Sequence, residues 1–424
     1  MSLRAGVVVT GTEVISGRIR DRNGPWLSEQ LGELGVEVAQ LVTVADRPQD
    51  VHAALRFLAD EGIELIVTSG GLGPTADDLT AEVVGQFTGR EMYLDEEMEA
   101  KIAKIIASFA RRMNFDPEAS RLANRKQAIA PRGARLLDPV GTAPGLVVPG
   151  DGFVVVVLPG PPRELQAMWP KAVDSPEVRE LLARTEDYRT ATMRLFGVPE
   201  SQLSVSLSEI EADTDLSPLE ITTCLRGFEL VVDVRYRPGE EELIEAIAGG
   251  LRSRHGTSLF STDGSSTDDQ VAELLGGRRI ALAESCTGGL VAARLTARPG
   301  ASAYVAGGVV AYSNDAKTEL LGVDATLIAE HGAVSPQVAE AMADGALDRF
   351  GADVALSVTG IAGPTGGTKE KPVGYVCFCA KEASGNLLAR DPTLPGRRDD
   401  IRDRSIVVGL HVIRLLLSGQ RSPV

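Results

Sequence analysis

Residues 278–294 read Arg-Arg-Ile-Ala-Leu-Ala-Glu-Ser-Cys-Thr-Gly-Gly-Leu-Val-Ala-Ala-Arg. An apolar strand-like run stops at Glu284-Ser285-Cys286-Thr287, two glycines follow, and a helix-like run begins. This order predicts a strand, a tight turn and a helix, which together form the repeating unit of an α/β fold. It also places two hydroxyls and a thiol at a helix start, where backbone N–H groups and the helix dipole favour negative charge.

The polar turn allows two interpretations. A nucleophile beside an oxyanion site is what acyl transfer needs, with Ser285 in that role. Cys286 is the alternative nucleophile, because a helix start lowers the pKa of a thiol. In the structural interpretation, Ser285 is only a helix N-cap and Cys286 an inert buried side chain. The turn by itself leaves both interpretations open.

Two parts of the chain alternate strands with helices. Residues 1–170 contain apolar runs at 5–9, 35–44 and 64–69 with helical periodicity between them, and residues 261–424 continue in the same manner. We therefore predict an α/β protein with two three-layer α/β/α domains and mostly parallel sheets. Ligands of such sheets bind at the carboxyl ends of the strands.

The intervening residues 171–260 have a different pattern. Segments 190–197 and 229–237 alternate like strands with one exposed face, and residues 240–252 have helical periodicity. These segments predict a small α+β module that joins the two larger domains and carries no chemical motif. The polar run 261–269 then predicts a boundary loop with a helix N-cap.

The composition favours metabolite chemistry. The chain has 43 Lys and Arg against 59 Asp and Glu, a formal net charge of −16, and only 4% aromatic residues. Nucleic-acid binding would require a basic face or stacking aromatics, so we expect no nucleic-acid partner. The chain shows no uninterrupted apolar stretch of about 18 residues, so we expect no membrane span and a cytoplasmic protein.

The four cysteines show no disulfide-framework spacing, which fits a reducing compartment. Cys377 and Cys379 flank Phe378 in a strand-like run. Core packing is the favoured interpretation of this pair, and a metal pair is the alternative.

A glycine-rich segment follows the third strand-like run, and residues 67–80 read Val-Thr-Ser-Gly-Gly-Leu-Gly-Pro-Thr-Ala-Asp-Asp-Leu-Thr. Its glycines let the backbone approach a ligand, with free N–H groups for phosphate oxygens. Asp77 and Asp78 could add a divalent cation that bridges phosphates. The alternative is structural, because Thr75 followed by Asp78 is a capping-box pattern that would open a helix at 79–87. Both interpretations stay open on these residues.

Later segments offer partners for Ser285. Residues 307–317 end a strand and start a helix, residues 357–367 leave a strand into a glycine-rich loop, and residues 396–404 supply arginines for a carboxylate or phosphate. Among the four histidines only His331 lies in a loop of this region, so a Ser–His–Asp triad has no further support.

A desolvated lysine is the recognised substitute for histidine as the base that activates a serine. Lys317 is our candidate base, with Tyr312 as a proton relay. The alternative interpretation of Lys317 is a solvated lysine in the first turn of a helix.

These motifs resemble the CinA family of competence/damage-inducible proteins. Segments 10–13, 21–23, 69–80 and 158–164 look like its MoaB/MogA-like molybdopterin-binding N-terminal domain. The C-terminal domain of the family, also found alone as the PncC-type nicotinamide-nucleotide amidase, is similar to this chain in segments 283–289, 312–314, 357–364 and 371–374 and at Lys317.

For the N-terminal domain, the resemblance implies an ADP-ribose pyrophosphatase that depends on a divalent metal, Mg²⁺ or Co²⁺. The acidic residue of the glycine motif matches Asp78, and the lesser metal candidates are Asp77, Glu13 and Glu164. The implied substrate-binding residues are Gly70, Gly71, Gly73, Thr75 and Asn23. Many members have Asp-Thr-Asn where this chain has Asp21-Arg22-Asn23, so Arg22 either contacts phosphate or is exposed.

For the C-terminal domain, the resemblance implies hydrolysis of nicotinamide mononucleotide (NMN) to nicotinate mononucleotide and ammonia, without a cofactor. The implied catalytic residues are Ser285, Lys317, Tyr312 and Thr359. The implied substrate-binding residues are Cys286, Thr287, Gly288, Gly289, Asn314, Gly360, Gly363, Arg398 and Arg402.

The family also implies a homodimer. Two alternative functions remain: a chain in which only one domain is active, and a molybdopterin-binding or competence-linked accessory protein without turnover.

Overall fold

The computed structural model describes residues 3–110, 117–185 and 187–420. The chain divides into two compact units, Met1–Arg189 and Thr190–Val424. Both units combine helices with mixed sheets, and the predicted α/β class is confirmed. The second unit contains both the four-stranded sheet of the predicted linking module and the C-terminal five-stranded sheet.

The first unit is built on a six-stranded sheet of order β2-β1-β3-β8-β7-β6, beside a two-stranded sheet of β4 and β5. The strands are β1 (Arg4–Thr10), β2 (Glu37–Val44), β3 (Leu65–Ser69), β4 (Met92–Leu94), β5 (Ile129–Pro131), β6 (Arg135–Leu137), β7 (Gly145–Pro149) and β8 (Val154–Leu158). The helices are α1 (Thr12–Ile15), α2 (Asn23–Glu33), α3 (Pro48–Asp60), α4 (Thr80–Phe87), α5 (Glu96–Ala110), α6 (Pro117–Gln127), α7 (Pro162–Val173) and α8 (Pro176–Leu182).

Strands β2, β1, β3 and β8 run parallel, and β7 and β6 add an antiparallel edge. Alternate residues of a strand point to opposite faces of the sheet. In β1, Val7 and Val9 join one apolar cluster with α2 and α7, whereas Val8 joins another with α3 and α4. The sheet is therefore buried on both faces, which explains why its central strands are continuous apolar runs.

The second unit contains a four-stranded sheet of order β10-β11-β9-β12 and a five-stranded sheet of order β14-β13-β15-β16-β17. The strands are β9 (Arg189–Leu195), β10 (Glu220–Arg226), β11 (Glu229–Tyr236), β12 (Leu259–Ser261), β13 (Ile280–Glu284), β14 (Val305–Val310), β15 (Val354–Gly360), β16 (Val376–Glu382) and β17 (Leu387–Arg390). The helices are α9 (Glu200–Asp213), α10 (Glu241–His255), α11 (Thr267–Leu275), α12 (Leu290–Thr296), α13 (Asn314–Leu321), α14 (Ala325–His331), α15 (Pro336–Phe350) and α16 (Arg398–Leu417), with short 3₁₀ turns at Gly256–Ser258 and Ala301–Ala303.

In the five-stranded sheet, β13 lies between β14 and β15 and runs parallel to both, whereas β16 and β17 are antiparallel additions. One face of this sheet packs on α16 and the other on α15. Cys377 and Cys379 are fully buried in β16 and form no disulfide, as the core interpretation of that pair predicts. The N-cap predicted within residues 261–269 is Ser266, which opens α11 in a capping box with Asp269.

Over the described ranges, no helix combines the length and the apolar composition that a bilayer crossing requires.

Helices α13 and α15 pack closely against each other at a glycine. Gly345 lies in α15 with its Cα facing the last residue of α13, and a methyl group at this position would overlap the backbone carbonyl of Leu321. A backbone carbonyl cannot relieve this overlap by changing rotamer, as a flexible side chain can. The close approach therefore depends on the missing side chain.

We predict that Gly345→Ala lowers the free energy of unfolding by about 1–3 kcal/mol, the usual range for overpacking, although alanine is the better helix former. Gly249→Ala is the matched control, since Gly249 lies in α10 with open space around it. This control should raise the free energy of unfolding by about 0.5–1 kcal/mol. Urea denaturation measures both, and equal stabilisation by the two variants would contradict the described packing.

Candidate active site

Ser285 lies directly after β13, at the carboxyl end of the central parallel strands. Its amide donates to the carbonyl of Val358 in β15 at 2.8 Å, and its carbonyl accepts from the amide of Gly288 at 3.1 Å. Gly289 then adopts φ of 93° before α12 begins, a left-handed conformation that favours glycine. The side chain of Ser285 is held in a tight, mostly buried turn with 8% of the residue exposed.

The Glu284 carboxylate accepts hydrogen bonds from backbone amides at the N-terminus of α12. Oε2 accepts from Gly289 at 2.9 Å and Val291 at 3.1 Å, and Oε1 accepts from Ala292 at 2.8 Å. The expectation that these amides face a ligand is therefore wrong, because a buried carboxylate of the chain already takes them. The N-cap alternative for Ser285 is wrong as well, since the N-cap residue is Gly289.

Lys317 approaches Ser285 from beneath the turn. Its Nζ lies 3.1 Å from Ser285 Oγ and donates to the carbonyl of Ala311 at 2.8 Å. Lys317 is only 1% exposed, and burial holds the pKa of its amine below the ordinary lysine value. The solvated interpretation of Lys317 is therefore wrong. Helix α13 starts just after β14, so its first turn places the lysine near the carboxyl end of that strand.

Cys286 is an apolar packing residue. It is 5% exposed, and burial raises the pKa of its thiol to about 12. The backbone carbonyls of Cys286 and Thr287 accept from Arg402 at 3.2 Å and 3.1 Å. Thr287 is fully buried, and its Oγ1 has no hydrogen-bond partner among the described residues. Arg402 therefore clamps the backbone of the turn.

A second arginine links three segments at the surface. Arg398 donates to the carbonyl of Gly363 at 2.8 Å and to the hydroxyl of Tyr312 at 2.9 Å. Tyr312 is 59% exposed, so its hydroxyl is directed to the surface with Arg398. Thr359 is fully buried, and its hydroxyl donates to the carbonyl of Ala333 at 2.8 Å.

The glycine-rich loop of the first unit borders a cleft of about 770 Å³. Asn23, at the start of α2, donates through Nδ2 to Ser69 Oγ at 2.8 Å and to the carbonyl of Gly160 at 2.7 Å. Its Oδ1 is buried without a partner. Hydrogen bonds from Asn23 thus connect the carboxyl end of β3 with the loop that follows β8.

Backbone N–H groups are available in this loop. Gly71 has φ of 68°, and a side chain there would overlap Thr80. In the described part of the chain, the amides of Gly71, Leu72 and Gly73 have no hydrogen-bond acceptor. Consecutive free amides of this kind form an anion-binding concavity.

The acidic end of the loop is organised around Thr75. Its hydroxyl donates to Asp77 and Asp78, and its amide donates to Asp78 Oδ2 at 2.9 Å. Helix α4 begins only at Thr80 and has no side-chain cap. The predicted capping box for a helix at 79–87 is therefore wrong, because the Thr–Asp pair closes the loop before the helix starts.

Carboxylates around the cleft fit a metal held partly by its substrate. Within residues 3–110, 117–185 and 187–420, no group of three or more His, Cys, Asp or Glu side chains is arranged to hold a metal alone. Mg²⁺ at phosphates needs only one or two carboxylates, and Asp77, Asp78 and Glu13 all line the cleft. Burial raises the pKa of Glu164, another lining residue.

Comparison with known proteins assigns the chain to a family. Residues 265–417 match the CinA C-terminal domain, and residues 6–180 match the "Probable molybdopterin binding domain". A CinA-like protein of Mycolicibacterium gilvum is 59% identical over 421 residues, which cover 99% of this chain and 100% of that one. The chain belongs to the CinA family. A CinA-like protein of Mycobacterium marinum is 57% identical over 423 residues, 99% of each chain.

Among solved structures, the competence/damage inducible protein CihA from Agrobacterium tumefaciens is 40% identical, with a TM-score of 0.35. The similarity covers 37% of this chain and 99% of that chain.

The CinA C-terminal domain gathers most of the predicted residues around one turn. Those in contact with the turn or part of it are Ser285, Cys286, Thr287, Gly288, Gly289, Lys317 and Arg402. Asn314 is exposed at the start of α13, and Gly360 ends β15 against Val376. The important residue missed in the sequence is Glu284. The sequence signal that could have indicated its role is an acidic residue between a buried strand and a Gly-Gly helix start.

Proposed function

We propose that the CinA C-terminal domain of this chain hydrolyses the carboxamide of NMN, giving nicotinate mononucleotide and ammonia. The observation that carries the proposal is the 3.1 Å approach of the buried Lys317 Nζ to Ser285 Oγ. A buried amine with a lowered pKa, next to a serine hydroxyl, is the arrangement of a Ser–Lys nucleophile. The substrate itself is suggested by the family.

The contacts of Lys317 suit a neutral amine. One N–H donates to the carbonyl of Ala311, which leaves the lone pair free for the Ser285 hydroxyl proton. Lys317 takes that proton while Oγ attacks the carboxamide carbon, and a tetrahedral intermediate forms. Lys317 then gives the proton to the departing nitrogen, and ammonia leaves. Water, deprotonated by the same amine, hydrolyses the acyl-enzyme and regenerates Ser285.

The nucleophile turn offers its own donors for the oxyanion. In the described part of the chain, the amides of Cys286 and Thr287 donate to no oxygen and lie near the Cys286 sulfur. Both residues directly follow the proposed nucleophile in sequence, where backbone amides can stabilise the oxyanion. The Thr287 hydroxyl is a third candidate, since it is buried without a partner. Thr359 is a poorer candidate, because its hydroxyl already donates to Ala333.

We assign the nucleotide phosphate to Arg398 in preference to Arg402. Two N–H groups of the Arg402 guanidinium, on Nε and Nη2, donate to backbone carbonyls of the turn. Arg398 is exposed and holds the Tyr312 hydroxyl, so a phosphate can reach it from solvent. The exposed Tyr312 lies beside it through that hydrogen bond, and the exposed Asn314, two residues further along the chain, would contact the same substrate.

Ser285→Ala should lower ammonia release from NMN by more than about 10⁴-fold, because the nucleophile is lost. Cys286→Ala is the matched control and should retain activity within about threefold, since a thiol with a pKa of about 12 is not a nucleophile at neutral pH. A coupled ammonia assay on purified protein measures both. Activity that disappears with Cys286 and survives without Ser285 would overturn the assignment of the nucleophile.

Activity should rise with pH as Lys317 loses its proton. Burial lowers the pKa of Lys317, so the rise in kcat/KM should have its midpoint below the ordinary lysine value. Lys317→Arg keeps the charge at every pH and should reduce activity by about 10²–10⁴-fold across the whole profile. Lys381→Arg, which preserves the charge beside Glu340 and Asp344, is the control and should leave the profile unchanged. A Lys317→Arg enzyme with the normal profile would exclude lysine as the base.

We further propose that the molybdopterin-binding domain hydrolyses ADP-ribose with a divalent metal, Mg²⁺ or Co²⁺. Support comes from the free amides of Gly71, Leu72 and Gly73, which face a cleft lined by Asp77 and Asp78. When bound, the metal would be held by those carboxylates and substrate oxygens, and would neutralise charge on the pyrophosphate. Asn23 holds the loops on both sides of the cleft at a fixed distance.

Asp78→Asn should lower metal-dependent release of AMP from ADP-ribose by about 100-fold or more, and excess chelator should abolish the release. Asp151→Asn, in an exposed loop, is the control and should have no effect. The amidase assay on the same preparation shows whether the chain is otherwise intact.

Full AMP release by Asp78→Asn would exclude this carboxylate from the reaction. Absence of AMP release in the unmodified protein would favour a chain with only one active domain. Absence of both activities would favour the accessory protein that binds molybdopterin. The homodimer and the cytoplasmic location stay predictions.

A further inference from the structure

A cavity of about 580 Å³ lies within the second compact unit, between the four-stranded sheet and α16. This volume is within the range of small-molecule sites, about 300–1,000 Å³. Its walls are mostly apolar and include Val198 after β9, Leu230 in β11 and Val408 in α16. The cavity is distinct from the Ser285 turn, none of whose residues lines it.

The hairpin between β10 and β11 brings an aromatic ring to this cavity in an unfavourable backbone conformation. Arg226 pairs with Glu229, so Gly227 and Phe228 form a two-residue turn with φ of 58° and 67°. Glycine or asparagine is the usual residue at such positions, and a bulky side chain is strained there. Phe228 nevertheless lines the cavity. Strain of this kind persists where the surrounding structure or a function requires it.

One wall of the cavity carries positive charge. The Arg404 guanidinium lies 4.2 Å from the centre of the Phe228 ring, and its Nε is buried without a hydrogen-bond acceptor. Arg404 has no carboxylate partner in the described ranges of the chain, although Glu200 and Asp391 also line the cavity. Asp391 accepts from the hydroxyl of Tyr375 at 2.9 Å.

Two of the other titratable groups of the wall have hydrogen-bond partners, whereas Glu200 adds a second carboxylate to the wall beside Asp391. His411 contacts Glu229 at 2.8 Å, and Arg390 donates to the carbonyl of Ala389 at 2.9 Å. Among the described residues, no acceptor lies within hydrogen-bond distance of the buried Nε of Arg404. An anionic oxygen would satisfy it, and the apolar walls would hold the body of the same molecule.

Helix α16 connects the cavity to the nucleophile turn. Arg398 and Arg402 in its first turns hold Tyr312 and the carbonyls of Cys286 and Thr287. The same helix supplies its later residues to the cavity wall: Arg404, Val408, His411, Val412 and Leu415. A ligand that shifts the middle of this 20-residue helix would therefore move the clamp on the turn.

We propose that this cavity binds a small organic anion with an aromatic or aliphatic body, and that its occupancy is transmitted through α16 to the Ser285 turn. The anion contacts Arg404 and the body packs on Phe228, Leu230 and Val408. Binding does not depend on the proposed amidase, whereas the transmitted effect acts on the site of that reaction.

The test uses the full chain with Ser285→Ala, so that binding and turnover are separate. Anilinonaphthalene sulfonate, an aromatic anion whose fluorescence rises in apolar sites, is the probe, and decanoate is the competitor. Arg404→Gln should weaken probe binding by about tenfold, as expected for loss of a charge-assisted hydrogen bond. Arg349→Gln, on the exposed side of α15, is the matched control and should bind normally. Val408→Trp should fill the cavity and abolish displaceable binding.

Equal binding of the probe by Arg404→Gln and Arg349→Gln would overturn the site, whether or not Val408→Trp folds. The transmitted effect is read by hydrogen exchange of residues 285–289, which requires no turnover. Decanoate should change their exchange rate in the parent and leave it unchanged in Arg404→Gln. Binding without any change in exchange at this turn would overturn the connection through α16. Ammonia release from NMN then shows the consequence for the active chain.

Discussion

The Glu284 carboxylate determines the geometry of the C-terminal site. Removing a carboxylate from water costs several kcal/mol unless donors replace the solvent, and here three helix-start amides do so. The positive end of the α12 dipole adds to that stabilisation. Because the carboxylate fixes both the end of β13 and the start of α12, the residues between them have little freedom. Ser285 is held in a position that a free loop would not maintain.

Burial of Lys317 opposes stability, and the site depends on it. A charged amine would lose its hydration at this buried position, so burial shifts the balance toward the neutral form relative to a solvated lysine. The neutral form is also the one that can accept a proton from Ser285. The free-energy cost of burying the amine is offset by the packing of α13 on α15, whose close approach depends on Gly345. The proposed Ser285–Lys317 pair is thus supported by apolar contacts that take no part in the proposed chemistry.

The architecture could be predicted from the sequence because apolar runs, periodicity and glycine turns are local signals. Lys317 was predictable as a candidate base for Ser285, but the family motifs were needed to favour the pair over a solvated lysine. The two residues are separated by 31 intervening residues, and the periodicity of α13 does not distinguish a buried lysine from a solvated one. The role of Glu284 was not predicted because it depends on the orientation of the side chain in the fold. The carboxylate accepts hydrogen bonds from amides that follow it in the sequence. Arg402 was predicted as a substrate-binding residue, but its contact with the turn was not, since α16 reaches the turn only in the folded domain.

The buried thiol of Cys286 has a chemical consequence for how this domain can be modified. Peroxides and alkylating reagents attack thiolates, and a thiol whose pKa is about 12 contains almost no thiolate at neutral pH. The residue next to the proposed nucleophile is therefore inert toward oxidants, although a cysteine in such a turn has the appearance of a redox sensor. Covalent probes of this domain should accordingly be chosen for hydroxyl acylation, and oxidative stress should leave its reactive turn intact.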